Sequence, residues 1–417
     1  MQTVPNHHSS LTTWLDHLMS IHPTEIDMGL SRVSSVAKTM GLTDLGQTKV
    51  ITVGGTNGKG TTCAMIEQIM TQAGYKVGVY SSPHMLKYNE RVRVAGIDAS
   101  DQELIEAFCA IDKARGEISL TFFEYATLAG LVIFKQAALD LVLLEVGLGG
   151  RLDATNIIDA DISVVTSVDI DHQEYLGDTR ELVGREKAGI FRAGCPAIVG
   201  ERDLPVSVAE AAHEIGAQLL AVGDAFDYIQ HDDSWDFNGM SLSLSGIPIP
   251  QLPLPNAATA LAVIEQLIPS ISEDVIYQGL LNAKLTGRLE LFSKAPVVLL
   301  DVAHNPHAAR YLKQRLAAYS GHRVVALCGM LKDKDCQAVI STLDDVVDTW
   351  YFTGLNCERS ASADLLVSCL PQGSIGYPFE SIVQAYQALT NNICDDDVVI
   401  VFGSFYTVAE FKNLNLG

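Results

Sequence analysis

The stretch ITVGGTNGKGTTCAMIEQIM, residues 51–70, constrains the fold more than any other part of the chain. It runs from a β-branched strand through a glycine cluster into a helix, and Lys59 is its only charge ahead of the helix. Glycines let backbone N–H groups approach phosphate oxygens, a helix N-terminus adds partial positive charge, and a lysine at this place reaches terminal phosphates. Strand, loop and helix in that order predict an α/β sheet with a nucleotide at the end of one strand. The match to G-x-x-x-x-G-K-[ST] is imperfect, because Gly60 follows Lys59 and the hydroxyl arrives one place later, at Thr61. A glycine cluster alone is usually a turn. Strand, lysine, threonines and helix together favour the phosphate loop, with Thr56, Asn57, Gly58, Lys59, Gly60 and Thr61 as its nucleotide contacts.

The rest of the sequence repeats this alternation. Apolar runs at 49–53, 77–80, 141–145, 162–167 and 197–200 are separated by helical periodicity, for example at 103–113 and 123–136, as a parallel sheet covered on both faces requires. Residues 226–254 differ: the alternating SLSLS at 241–245 and the nearby prolines suggest an antiparallel hairpin and an extended loop. After Asn256 come a helix rich in alanine and leucine, TGRLE at 286–290, and a second series of strands at 297–301, 323–328, 348–351 and 397–402. The predicted fold is therefore α/β, with a P-loop parallel-sheet ATPase domain over residues 1–286 and a smaller Rossmann-like α/β domain over 287–417. A length of 417 residues suits two cores.

Charge and cysteine usage narrow the partners. Fifty acidic against 28 basic side chains give a net charge of −22 with no basic run, which disfavours nucleic acid and anionic membranes and leaves small molecules. The eight cysteines are scattered without C-x-x-C spacing, so neither a zinc site nor a disulfide framework is indicated and a reducing cytosol fits. The N-terminal residues lack a basic stretch followed by an apolar one, and the apolar run 138–150 is broken by Asp140 and Glu145. A cytoplasmic protein without a membrane span is expected.

Several side chains ask for an explanation. Glu145 closes the apolar run 141–145, where a buried carboxylate needs a cation or a partner; Arg151 is the ordinary choice. His172, in VDIDHQEYLG, is flanked by Asp169 and Asp171 just beyond a strand, where ligands collect in such sheets, although a lone histidine is more often a surface or core side chain. Lys187, in REKAGIF, reads from spacing as a solvated lysine at a helix start. Phe122 and Phe123 could stack on a flat ring, but aromatics at a helix start usually belong to the core.

GTNGKGT at 55–61, SSPH at 81–84, LEVGLGGRLDATN at 144–156, DHQEYLG at 171–177, REKAGI at 185–190, GRLE at 287–290 and DVAHNP at 301–306 together resemble the dihydrofolate synthase/folylpolyglutamate synthase family, within the Mur ligase superfamily. The motifs stand in family order across nearly the whole chain. The resemblance implies that Ser82, Glu145 and His172 are magnesium ligands, the histidine being unusual because Mg²⁺ prefers oxygen. It implies a CO₂-derived carbamate on Lys187 that holds a second Mg²⁺, a modification that needs a neutral amine. Asn256, Arg288 and Asp301 match ATP-binding positions, and His304 and Ser404 match positions associated with the incoming glutamate. The ordinary readings of that last pair are a loop histidine and a helix N-cap. Asp27, Met28 and Gly29, the run Thr121, Phe122, Phe123 and Glu124, and Leu152, Asp153 and Ala154 match segments that bind the pterin substrate. Lys59, Lys187, His172 and His304 form the implied catalytic group.

The implied reaction is ATP-dependent amide ligation through an acyl phosphate. It adds L-glutamate to dihydropteroate and to the terminal glutamate of reduced folates, with a monomeric enzyme expected. Polyglutamylation alone is the nearest alternative. A Mur peptidoglycan ligase shares the chemistry but normally carries a nucleotide-sugar domain ahead of the phosphate loop, where this chain has only about fifty residues. A nucleotide switch would leave DVAHNP and Lys187 without a role.

Overall fold

Eight strands form the larger sheet: β1 (Lys49–Gly54), β2 (Val77–Tyr80), β3 (Val92–Val94), β4 (Ile97–Asp98), β5 (Leu141–Glu145), β6 (Ile162–Val165), β7 (Pro196–Val199) and β8 (Gln218–Ala221). Their spatial order is β4-β3-β2-β5-β1-β6-β7-β8. In this computed structural model, which describes residues 4–414 apart from Glu25 and Pro269, β1 is central and buried from Val50 onward. Residues 1–3, part of the N-terminal stretch read above for targeting signals, lie outside the described residues. Both neighbours of β1 run parallel to it, Lys49 facing Leu141 and Ile51 facing Ile162. That burial on both faces is why the β1 sequence is a continuous apolar run rather than an alternation.

The chain falls into two units, Met1–Ala283 and Lys284–Gly417. The first also holds a three-stranded antiparallel sheet of β9 (Asp227–Gln230), β10 (Ser234–Asn238) and β11 (Ser243–Pro248), where an antiparallel hairpin and an extended loop were expected, so the pairing is as read and the sheet is one strand larger. One face of the larger sheet is packed around Trp14, Phe108 and Tyr125, and another cluster gathers Val165, Ile190 and Phe191. The second unit has six strands, β12 (Glu290–Lys294), β13 (Val297–Leu300), β14 (Val324–Cys328), β15 (Thr349–Thr353), β16 (Gly376–Phe379) and β17 (Val398–Phe402), in the order β12-β13-β17-β14-β15-β16. All its pairings are parallel except β12 with β13. Trp350 stacks on Phe352 inside its core, with ring centroids 5.4 Å apart.

The predicted strands 77–80 and 141–145 coincide with β2 and β5, while 162–167 overshoots β6 by two residues because the chain there already bends toward the phosphate loop. Five strands were not expected: β3, β4, β8, β12 and β16. Among the described residues no helix is long and apolar enough to cross a membrane.

Candidate active site

The loop after β1 is held by backbone and hydroxyl groups of the segment after β6. The Thr56 N–H donates to the Ser167 carbonyl at 2.9 Å, the Asn57 N–H to Ser167 Oγ at 3.0 Å, and Thr166 Oγ1 donates to the Asn57 carbonyl at 2.6 Å. Thr56 Oγ1 and the Asp169 backbone exchange two bonds, at 2.9 and 3.0 Å. Gly58 caps the helix Lys59–Gln72 in the left-handed region, φ 85°, and a Cβ there would lie 2.0 Å from Asn256 Nδ2. The Asn256 amide occupies that space, donating to the Gly58 carbonyl at 2.7 Å and to Thr62 Oγ1 at 3.1 Å. Asn256, 198 positions away, is thus brought against the loop. Lys59 Nζ lies across the loop, donating to the carbonyls of Gly55 at 3.0 Å and Thr56 at 3.3 Å. Gly60 and Thr61 lie in the first turn of the helix.

Lys187 corrects one expectation. It is neither solvated nor at a helix start: the helix Arg180–Ala188 begins behind the Thr179 cap, so Lys187 falls in its last turn, and only 4% of the residue is exposed. The overlooked signal was the Thr179 side chain, which accepts from the Leu182 N–H. Burial first, and the nearby Lys59 charge second, push the Lys187 amine down to about 7, against the opposing pull of Asp171 and Asp153. Near neutrality this lysine is substantially an uncharged amine.

Glu145 is buried at the end of β5, and its Oε2 accepts from the Ser82 N–H at 3.3 Å. Its ordinary partner is engaged elsewhere, since Arg151 bonds Glu186 Oε1 through Nη2 at 2.8 Å and Nε at 3.1 Å. His172 is exposed, with left-handed backbone at φ 50°. Among the described residues no three His, Cys, Asp or Glu side chains form a metal nest. The expected set contains only two of these types, Glu145 and His172, and relies on Ser82 and a modified Lys187 for the rest. Glu145, a buried carboxylate at the Ser82 backbone, offers the kind of oxygen donor that a hard divalent cation takes.

The residues expected at the pterin substrate do not share one kind of environment. Asp27 is exposed; its carboxylate pairs with Arg32 Nη1 at 2.8 Å and His22 Nε2 at 3.2 Å. Met28 and Gly29 are half-buried beside it. Thr121 and Glu124 cap the helix Phe122–Ala137 reciprocally, with the Thr121 N–H donating to Glu124 Oε2 at 2.8 Å and the Glu124 N–H to Thr121 Oγ1 at 3.1 Å. That capping box was legible as T-x-x-E. Phe122 and Phe123 are half-buried against the core, and the Phe123 ring fills the space in which a Cβ on Gly147 would sit, 2.5 Å from Cζ. Leu152 is half-buried and Ala154 buried. Asp153 is a loop organiser: its carboxylate accepts from the N–H groups of Gly147, Leu148 and Thr155 and from Thr155 Oγ1, all within 3.0 Å.

Arg32 and His22 were absent from the sequence-based set. Arg32 joins Asp27 to Glu124 Oε1 at 3.3 Å across 92 positions, and His22 Nδ1 meets Ser119 Oγ at 2.6 Å. No local pattern announces either link, because both partners come from a distant helix start.

In the second unit the Arg288 guanidinium lies 5.3 Å from the centre of the Phe405 ring. Asp301 accepts from the N–H groups of Leu289 at 2.9 Å and Ala303 at 2.8 Å, and burial holds its carboxyl above the ordinary value despite Arg288. His304 Nδ1 meets the Val302 carbonyl at 2.8 Å. Ser404 is buried and caps the helix Phe405–Lys412, accepting from the Thr407 N–H at 3.0 Å, which is its ordinary reading.

Known proteins share this arrangement over the full length. The description "Mur ligase middle domain" matches residues 53–227, and "Mur ligase, glutamate ligase domain" matches 287–405. The dihydrofolate synthase/folylpolyglutamate synthase of Escherichia coli strain K12 is 48% identical over 98% of this chain and 96% of its own length. The structure of E. coli FolC in complex with DHPP and ADP, 48% identical, superposes with a TM-score of 0.95 over 98% of both chains. A bifunctional folylpolyglutamate synthase/dihydrofolate synthase with Mn, AMPPNP and L-glutamate bound, 47% identical, gives 0.93 over 99% of both. Matched by both ligase domain descriptions and by relatives of 48% identity over nearly its whole length, the chain belongs to the dihydrofolate synthase/folylpolyglutamate synthase family of Mur ligases.

Proposed function

We propose that this chain joins L-glutamate to dihydropteroate and to the terminal glutamate of reduced folates, hydrolysing ATP to ADP and phosphate. The observation that carries the reading is the buried Lys187 beside Lys59. A switch that only binds nucleotide has no use for a second, buried lysine close to its phosphate lysine. Full-length similarity to a structure with DHPP and ADP bound supports the acceptor and nucleotide classes.

The loop N–H groups, the helix Lys59–Gln72 and Lys59 hold the triphosphate and orient its γ-phosphoryl group, with Asn256 keeping the loop in shape. The acceptor carboxylate attacks that phosphorus, ADP leaves, and an acyl phosphate results. The amine of glutamate then attacks the acyl carbon, the C–O bond to phosphate breaks, and the amine proton is lost as the amide forms. When bound, divalent cations held by Ser82, Glu145, His172 and a carbamylated Lys187 neutralise phosphate charge. Asp27 and the Thr121–Glu124 run, with Leu152 to Ala154, orient the pterin, and Arg288, Asp301, His304 and Ser404 serve nucleotide and glutamate. In this reading the first unit is the ATP- and pterin-binding domain, the second is the glutamate-ligase domain, and the enzyme works as a cytoplasmic monomer.

Purified protein, ATP, Mg²⁺ and labelled glutamate, with dihydropteroate in one reaction and tetrahydrofolate in another, test the proposal. Label in both products is the expected result. Label with tetrahydrofolate alone reduces the activity to tail extension, and ATP hydrolysis without label in either refutes the ligase reading.

A further inference from the structure

Arg91 differs from the other cations near the site. It is 8% exposed, at the end of the short turn Tyr88–Arg91, and its Nε donates to His84 Nδ1 at 2.9 Å. Two residues on, Arg93 shows what a shielded arginine here normally has, a carboxylate: Glu67 Oε2 at 2.7 Å. Among the described residues no carboxylate pairs with Arg91. Its guanidinium lies 5.6 Å from the Tyr88 ring centre and 5.4 Å from that of Phe122, with the Tyr80 hydroxyl also in reach.

None of these neighbours supplies negative charge. His84 meets Arg91 through a ring nitrogen that accepts from Nε and brings no negative charge. Burial pushes the Tyr80 phenol up to about 12 and raises Tyr88 as well. A desolvated cation with only neutral partners is complementary to an anion from outside. None of its nitrogens is both sealed from solvent and unpaired.

The location says which anion. The Arg91 carbonyl accepts from the Ser81 N–H at 2.9 Å, which sets it beside the loop carrying Ser82, and Phe122 opens the helix whose first turn is read above as an acceptor contact. We propose that Arg91 is a binding site for a carboxylate of the acceptor substrate, the planar guanidinium taking both oxygens while Tyr88 and Phe122 keep water away. A guanidinium fork matches a carboxylate in two parallel bonds, and exclusion of water strengthens them. The assignment rests on the function proposed above and names one of its binding groups.

The test uses the full chain without ATP. Pteroate and its carboxamide, which differ only in the charge and shape of that one group, are titrated calorimetrically into wild type, Arg91→Gln and Arg91→Lys. Wild type should favour the carboxylate by about tenfold, a difference of about 1.4 kcal/mol. Arg91→Gln should lose the preference and Arg91→Lys should retain part of it. Because the glutamine removes an uncompensated buried charge, its melting temperature should equal or exceed that of wild type. In turnover, the KM for either acceptor should rise about tenfold while the KM for ATP stays put. An Arg91→Gln protein that keeps the full preference overturns the assignment. So does one that loses stability and ATP affinity together, since that describes a structural residue, and Arg91→Lys then shows whether charge alone restores acceptor binding. Wild type without any preference overturns it too. A preference in wild type, absent from the variant, with no glutamate incorporated from either acceptor, sinks the ligase reading and leaves the carboxylate site standing.

Discussion

The phosphate loop and the acceptor segments around Asp27 and Glu124 are built by opposite means. The loop is one contiguous stretch fixed by backbone groups and short hydroxyls, with Asn256 filling the only space a side chain on Gly58 could take. The acceptor segments are tied by long charged side chains, Arg32 between an exposed Asp27 and a buried Glu124. Backbone ties leave few alternatives and little response to salt. Ion pairs at a partly exposed surface are worth about 0–1 kcal/mol and weaken with ionic strength. The difference teaches that a loop tied through its backbone has few ways to adjust, while segments joined by ion pairs have more; in the function proposed above the second kind faces the acceptor.

The largest effect should come from Lys59→Ala, which removes the only side-chain charge of the loop and should lower kcat about a thousandfold by initial-rate assay. A loss under tenfold would mean that the loop does not act as a unit. Lys187→Met should reduce turnover about a hundredfold and yet stabilise the fold near neutrality. The sign follows from Lys187 at about 7 when folded against about 10.4 unfolded: between these values the unfolded chain holds a proton that the folded chain lacks, so wild-type stability rises with pH across that window. The methionine variant lacks that slope and should be more stable at pH 7 by on the order of a few kcal/mol. Melting curves at pH 7 and 9.5 in CO₂-free buffer check this, and parallel slopes for the two proteins would refute it.

Gly58→Ala meets both the left-handed backbone and the Asn256 amide, and should cost about 2 kcal/mol of stability by denaturant titration. Pairing it with Asn256→Ala should recover part of that loss, which sharpens the assignment of the clash. The smallest effect belongs to the acceptor side. Arg32→Gln should raise the KM for dihydropteroate about threefold to fivefold, by less than 1 kcal/mol, with the ATP KM unchanged. The wild-type acceptor KM should itself rise in 0.5 M salt while that of the variant stays flat; equal salt responses would erase the contrast between the two regions.

Legibility followed the same division. Lys59 could be read because its signal is local, a strand, a loop and a helix in sequence. Strands buried on both faces, such as β2 and β5, were found to the residue. The unexpected strands β8, β12 and β16 lie at sheet edges and are partly exposed, so β12 and β16 lack the long aliphatic run of a central strand, and the short run Leu219–Ala221 of β8 was passed over. Spacing alone misread Lys187 as solvated, because its burial depends on elements from elsewhere in the fold, which no spacing within REKAGIF reveals, whereas the family resemblance pointed to a neutral amine there. The Arg32–Glu124 link was invisible for the same reason, whereas the T-x-x-E cap was present in sequence and overlooked.

The central position of β1 also sets an order of events during synthesis. Its partners arrive late, Leu141 standing 92 positions after the Lys49 it faces, and Ile162 later still. At ribosomal rates β1 waits roughly five to twenty seconds, apolar on both faces and unpaired on both edges, before β5 can emerge and dock. The nascent chain therefore exposes an aggregation-prone segment well before the catalytic centre can exist, and a fragment released by a stalled ribosome near residue 130 should be a client of chaperones rather than a partial enzyme.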